Sequence, residues 1–145
     1  MQYWVIKANP NKYEVEKGLA EYLVSGGAGV WSVSPGCKTG DIVFIGQSGP
    51  RAAIFVESKL TSDAQEEVSS GPIEDPYWID INEAKKTRWY SEMEVINQCL
   101  TSPIYEGALR TSALNRIADF LHRQGISLRL SASEAKALEA LFLRP

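Results

Sequence analysis

Residues Asp41–Leu60 read DIVFIGQSGPRAAIFVESKL. Two strongly apolar runs, rich in β-branched and aromatic side chains, flank a short connection, QSGPR, that contains Gly49 and Pro50. Runs of this length between turn residues are strands, and a Gly/Pro connection of this kind folds them back on each other as a hairpin. Their apolar character puts them at the centre of a sheet. Upstream, YWVIKA (Tyr3–Ala8) is a further strand, stopped at Asn9-Pro10 where the prolyl ring disfavours a continued ladder. From Lys12 to Ser25, Val15, Leu19, Tyr22 and Leu23 recur at helical spacing, and GGAG (Gly26–Gly29) offers the left-handed exit that a helix end favours. The chain then reaches GVWSVSP (Gly29–Pro35), where a tryptophan follows a glycine-rich break among small and polar residues. Trp31 either opens a strand and faces the core or keeps one face for a ligand.

Downstream of the hairpin, Thr61–Pro76 lacks periodicity and mixes acids with Ser, Gly and Pro. It reads as a long loop, and loops of that length in compact domains usually have a task. Strands resume at YWIDI (Tyr77–Ile81) and RWYSEMEVINQCL (Arg88–Leu100), the second broken by SPI. In Ser112–Gln124, Leu114, Ile117, Ala118 and Leu121 give one apolar helix face, closed by Gly125. Ser131 and Glu134 form an S-x-x-E capping box, followed by the stripe Ala135, Leu138, Leu141 and Phe142. No repeat or linker divides the chain. The expectation is one α+β domain over residues 1–145: a strongly curved, antiparallel-type sheet or barrel with packed helices.

Composition narrows the function classes. A chain of 145 residues can bury about 68–70% of its unfolded surface, so it needs no staple. Hydrophobic residues at 44% and charged residues at 23% exclude a disordered or fibrous chain. Cys37 and Cys99 lie far apart and outside any C-x-x-C pair, which argues against a zinc or redox motif and for a reducing, cytoplasmic setting. The opening MQYWVIKANP lacks the features of a secretion signal, and no apolar run approaches the roughly 18 residues of a membrane span. The net charge of −3 is divided: residues 1–84 are acidic and residues 85–145 basic. A local basic face could draw on KKTR (Lys85–Arg88) and on Arg110, Arg116, Arg123 and Arg129, with solvated surface charges as the alternative.

Catalytic patterns are scarce. His122, the single histidine, lies in a helical segment with no evident triad partners. GGAG lacks the G-K-[ST] ending of a phosphate loop. The carboxylates of DAQEEV and IED have no histidine or cysteine beside them, so a solvated acidic loop is the better reading than a metal site. No metal, cofactor or catalytic residue is expected. The aromatics say more: Trp31 and Trp78 each border a loop rich in Gly, Pro, Ser or acids, where a flat face can stack on a base for about 1–3 kcal/mol. Trp4 and Trp89 read as core.

YWVIKANPNKYEV, GVWSVS, TGDIVFIG leading into AAIFVESKL, RWYSEMEV with SPI, and SASEAKALEALF, in this order, together resemble an EVE domain, a member of the PUA-like superfamily related to the YTH readers of methylated RNA. The resemblance implies a small curved β-barrel flanked by helices and an aromatic cage for a modified base. EVE domains are associated with 5-methylcytosine or related bases in DNA, often within restriction systems, and YTH domains with N6-methyladenine. By resemblance Trp31 matches the first cage tryptophan of the YTH pattern VWS, and Ser32 follows it. Lys7, Ala8 and Asn9 fall on the segment I-K-S-N that contacts the base edge, Ala8 departing from it by lacking a hydroxyl. Trp78 is the candidate second wall with Tyr77 in reserve, and Asp80 is a candidate acceptor for an exocyclic amine or else a surface charge. The implied function is a non-enzymatic reader that flips a modified base into the cage. Its partners would be nucleic acid, DNA before RNA, and a nuclease of a restriction system, with no membrane. The alternatives are a YTH-like reader of methylated adenine in RNA, an enzyme acting on a small nucleotide-like ligand, and a protein-interaction adaptor with its aromatics in the core.

Overall fold

The two apolar runs pair as expected. In the computed structural model, which describes residues 1–68 and 75–143, strand β3 (Ile42–Gln47) and strand β4 (Ala53–Leu60) form the central hairpin, running from Ile42↔Lys59 to Gln47↔Ala53 with a bulge at Ile45/Gly46. Every residue of β3 is buried. A strand covered on both faces reads as an unbroken apolar run, and here successive side chains enter two different cores. With β1 (Tyr3–Ala8) alongside, Val5, Phe44 and Ile54 join Leu109, Ile117, Leu121 and Leu138 on one face. Ile6, Val43, Ile45 and Phe55 join Val15, Leu19, Trp31 and Met93 on the other.

The remaining strands extend the sheet in both directions. β1 lies parallel to β3 and antiparallel to β8 (Ser127–Leu130). On the far side β4 pairs with the second half of the long β6 (Thr87–Gln98). β6 pairs through its middle with β2 (Ala28–Ser32) and through its start with β5 (Gln65–Val68). A two-residue strand β7 (Ile104–Tyr105) sits on β4. Helix α1 (Val15–Val24) covers the Trp31 face. The opposite face carries α3 (Glu106–Leu109), α4 (Asn115–Phe120) and α5 (Ala132–Phe142).

The strand order is β2-β6-β4-β3-β1-β8, with β5 and β7 as side branches. Among the described residues β2 and β8, the ends of this path, do not pair with each other, so the sheet is open and mixed, and the small closed, antiparallel-type β-barrel is not what forms. Two facts explain the difference. The β1–β3 pair is parallel and needs a crossover, which α1 and β2 supply. Cores on both faces satisfy the apolar runs without closure, and the end strands are only 5 and 4 residues long, which limits the exposed ladder.

Local differences follow the same logic. The expected Thr61–Pro76 loop contains β5, and its residues 69–74 lie outside the described residues. YWIDI is not a strand: Trp78 makes an isolated bridge to Tyr13, and Asp80 caps a one-turn helix α2 (Ile81–Ala84). The 112–124 helix is regular only over Asn115–Phe120. The Ser131–Glu134 capping box is present in full. Among the described residues no helix is long and apolar enough to cross a membrane.

Candidate functional site

At the Asn9-Pro10 stop the chain turns back, because the Asn9 carbonyl accepts from the Lys12 and Tyr13 amides and its side chain from the Asn11 amide at 2.9 Å. This turn throws Tyr13 over the end of the sheet. Its ring stands edge-on to Trp31, centroids 5.5 Å apart, and to Trp78 at 4.9 Å. Tyr22, one helix face further on, meets Trp31 edge-on at 5.7 Å. Edge-to-face packing at such spacings is the favoured aromatic arrangement.

Two glycines make this packing possible. A Cβ on Gly29 would lie 2.2 Å from the Tyr22 ring, and one on Gly18 would lie 2.4 Å from the Tyr13 hydroxyl. Gly29 precedes Trp31 by two residues in β2 and so shares its face of the strand. The glycine break before Trp31 therefore has a steric purpose beyond ending α1: it seats a tyrosine against the tryptophan.

These aromatics wall an open cleft of about 1260 Å³ whose lining also includes Lys7, Ala8, Asn9, Ser32, Tyr90 and the turn from Leu121 to Ile126. Six of the eight sequence-derived site residues thus converge: Lys7, Ala8, Asn9, Trp31, Ser32 and Trp78. Their surroundings differ from expectation in detail. Trp31 is 7% exposed and belongs mainly to the core, whereas Trp78 is half-buried and has the Arg88 guanidinium 5.1 Å from its ring. The Lys7 ammonium donates to the Phe120 and Arg123 carbonyls and lies 4.2 Å from the Phe120 ring, so it ties β1 to the 120–123 turn. Burial, and then Arg123, lower its pKa. The Ala8 carbonyl accepts from the Ser48 amide at 3.0 Å. Tyr77 and Asp80 are not in the lining. Tyr77 packs on the second core with its hydroxyl 3.4 Å from Glu21. The Asp80 carboxylate accepts from the Asn82 and Glu83 amides at 3.0 and 3.3 Å, a helix-capping task that fits its place one residue before α2.

Residues that the sequence reading did not single out complete the site. The Tyr13 hydroxyl donates to Asp75 at 2.9 Å. Burial first, and then Asp75, push the phenols of Tyr13 and Tyr22 far above their ordinary range, so both remain protonated. The Tyr90 hydroxyl is buried and has no hydrogen-bond partner among the described residues. At the rim, Glu83 accepts from Lys12 at 2.8 Å, Lys86 at 2.7 Å and Arg88 at 2.6 Å. Lys12 and Lys86 in particular hold its carboxyl down at about 2. Three cations on one carboxylate leave the rim positive. The sequence signal for this cluster was only KKTR; the spatial partner, Lys12, is far away in the chain.

Among the described residues no group of three or more His, Cys, Asp or Glu side chains could hold a metal ion. His122 Nε2 pairs with Glu106 at 2.8 Å. Cys37 is buried, which pushes its thiol up to about 11 and keeps it unreactive. The cleft offers flat walls, hydroxyl donors and a cationic rim, a chemistry suited to a planar, polar molecule attached to an anion.

No protein-family model matches the sequence, and no curated protein matches it. Solved structures do. A hypothetical protein from Leishmania major superposes with a TM-score of 0.67 at 14% identity, covering 99% of this chain and 95% of that one. Human THYN1 protein in complex with 5-methylcytosine containing DNA gives 0.63 at 14%, covering 100% and 99%. The YTH domain of Zygosaccharomyces rouxii MRB1 protein in complex with N6-methyladenosine RNA gives 0.57 at 13%, covering 97% and 86%. From nearly one end of the chain to the other, this protein has the fold of THYN1 and of a YTH domain, which is the structural side of the resemblance carried by its sequence.

Proposed function

We propose that the protein is a non-enzymatic reader of a modified base in nucleic acid, held in the cleft between Trp78 and the deeper Trp31. The observation that carries this reading is the joint packing of both tryptophans against Tyr13. A methyl group on a base contributes on the order of 1 kcal/mol when buried. Discrimination on that scale requires walls that do not yield. Tyr13 and Tyr22, seated over glycines, brace the walls. The unpartnered Tyr90 hydroxyl is a donor for the polar edge of the base.

A base in a duplex reaches such a cleft only by flipping, at a cost of a few kcal/mol. Single-stranded or mismatched targets therefore bind more tightly than paired ones. The THYN1 complex supports 5-methylcytosine in DNA as the first ligand to try. The YTH complex supports N6-methyladenine in RNA as the second. The test is a panel of oligonucleotides identical except at one base, titrated by tryptophan fluorescence. We expect several-fold tighter binding to one modified base than to its unmodified form, and loss of that preference in Trp78→Ala. Equal affinity across the panel rejects the reading.

A further inference from the structure

A second, smaller cavity of about 360 Å³ adjoins the cleft. It is walled by Val33, Pro35 and Trp89, with Lys86 at its mouth, and Ser32, Glu83, Arg88 and Ile126 belong to both cavities. Its volume is at the low end of the roughly 300–1,000 Å³ of small-molecule sites. Trp89 is half-buried, and Ile126 stands 57% exposed on the shared rim. Its side chain belongs to neither core. The seam between the cavities carries the Glu83 cluster, and its cations are accessible: the Lys12 and Lys86 side chains are 44% and 61% exposed.

We propose that this cavity receives the nucleotide next to the modified one, so that the unit recognised is a dinucleotide step whose linking phosphodiester rests on Lys12, Lys86 and Arg88. The inference deepens the base-reading assignment and rests on it. Its logic is connectivity. Two neighbouring bases in a strand are joined by one phosphate, so a protein that holds both must present positive charge between the two base sites. The excess of cations over the single Glu83 carboxylate lies on that line. Trp89, Pro35 and Ile126 supply apolar surface of the kind on which any base can stack, so the subsite tolerates sequence. Glu83 organises the cations and keeps the unloaded cluster from repelling itself.

The test compares the modified mononucleoside with dinucleotides that carry the neighbour on its 5′ or its 3′ side, and with the same dinucleotides joined by an uncharged methylphosphonate. Wild-type protein is expected to bind one of the two natural dinucleotides at least ten-fold more tightly than the mononucleoside, and the methylphosphonate to lose most of that gain. Trp89→Leu should reduce the gain several-fold while leaving mononucleoside affinity intact, because Trp89 does not line the main cleft. Lys86→Gln, an exposed change that spares the fold, should reduce the gain for the phosphodiester and not for the methylphosphonate. The subsite is overturned if the mononucleoside binds and neither dinucleotide binds more tightly, or if Lys86→Gln leaves the gain untouched. If the mononucleoside itself fails to bind, base reading fails and the subsite falls with it.

Discussion

Trp31 shows how a proposed binding residue can be hard to test. Its ring is 7% exposed and packed on Tyr13 and Tyr22, so Trp31→Ala should destabilise the protein by about 3–5 kcal/mol. That is a large share of a typical stability of about 5–15 kcal/mol. Urea denaturation will show the loss before any binding assay can be interpreted. Trp78→Ala should behave oppositely: a modest fall in melting temperature and a loss of base binding of at least ten-fold, worth about 1.4 kcal/mol. A third variant isolates the seating of the wall. Gly29→Ala places a methyl where the Tyr22 ring lies, so it should displace that ring from Trp31 and weaken base binding several-fold while leaving both tryptophans in the chain. At this scale the loop neighbours of Trp31 and Trp78 marked them out in the sequence, and both line the cleft. The sequence concealed Tyr13 and Tyr22, because a tyrosine beside or within a helical stripe has the same spacing whether it faces a core or a cleft. Asp80 could be read as a base contact for want of one fact: that α2 begins immediately after it.

Elements impose their own requirements, and β4 carries an unusual one. Glu57 is 2% exposed, accepts from the Asn97 amide at 2.8 Å and faces Glu139. Burial, with Glu139 adding to it, raises the Glu57 pKa. The folded state then holds its proton more tightly than the unfolded chain does. This contribution is fully present at low pH and is lost as pH rises through the folded pKa. Glu57→Gln should therefore raise the melting temperature at neutral pH, with the advantage shrinking as pH falls through the raised folded pKa and vanishing below the ordinary carboxyl value of 4.5. Glu83 has the opposite sign. Its stabilisation is present above 4.5 and is lost as pH falls towards 2. The strongest elements were legible in the sequence: β3 and β4 as strongly apolar runs on either side of a Gly/Pro turn, and α5 from its capping box. β8 was not, since four residues between a glycine turn and a helix carry too short a pattern to register. Its place beside β1 is a matter of tertiary packing alone.

Across the whole molecule, the divided charge of the sequence does not become a basic face. Arg110 pairs with Glu106 and Asp119, and Arg116 pairs with Glu134. Lys12, Lys86 and Arg88 instead gather on Glu83 at the cleft rim. Binding should accordingly weaken only gently with salt, with a slope of log affinity against log salt on the order of 1 to 2, given about 0.7 to 0.9 for each phosphate neutralised. A steep slope in a salt series would reveal a second basic surface. The same global view adds a consequence of the position of β1, which lies between β3 and β8, its residue Tyr3 opposite Ile42 on one side and Leu130 on the other. On the ribosome, β1 waits with one edge bare until β8 has emerged. Closing so long a loop slows folding, and a nascent chain halted before Ser127 offers that edge to any passing strand. Protease cleavage within Tyr3–Ala8 of stalled chains should cease only once Leu130 is clear of the exit tunnel.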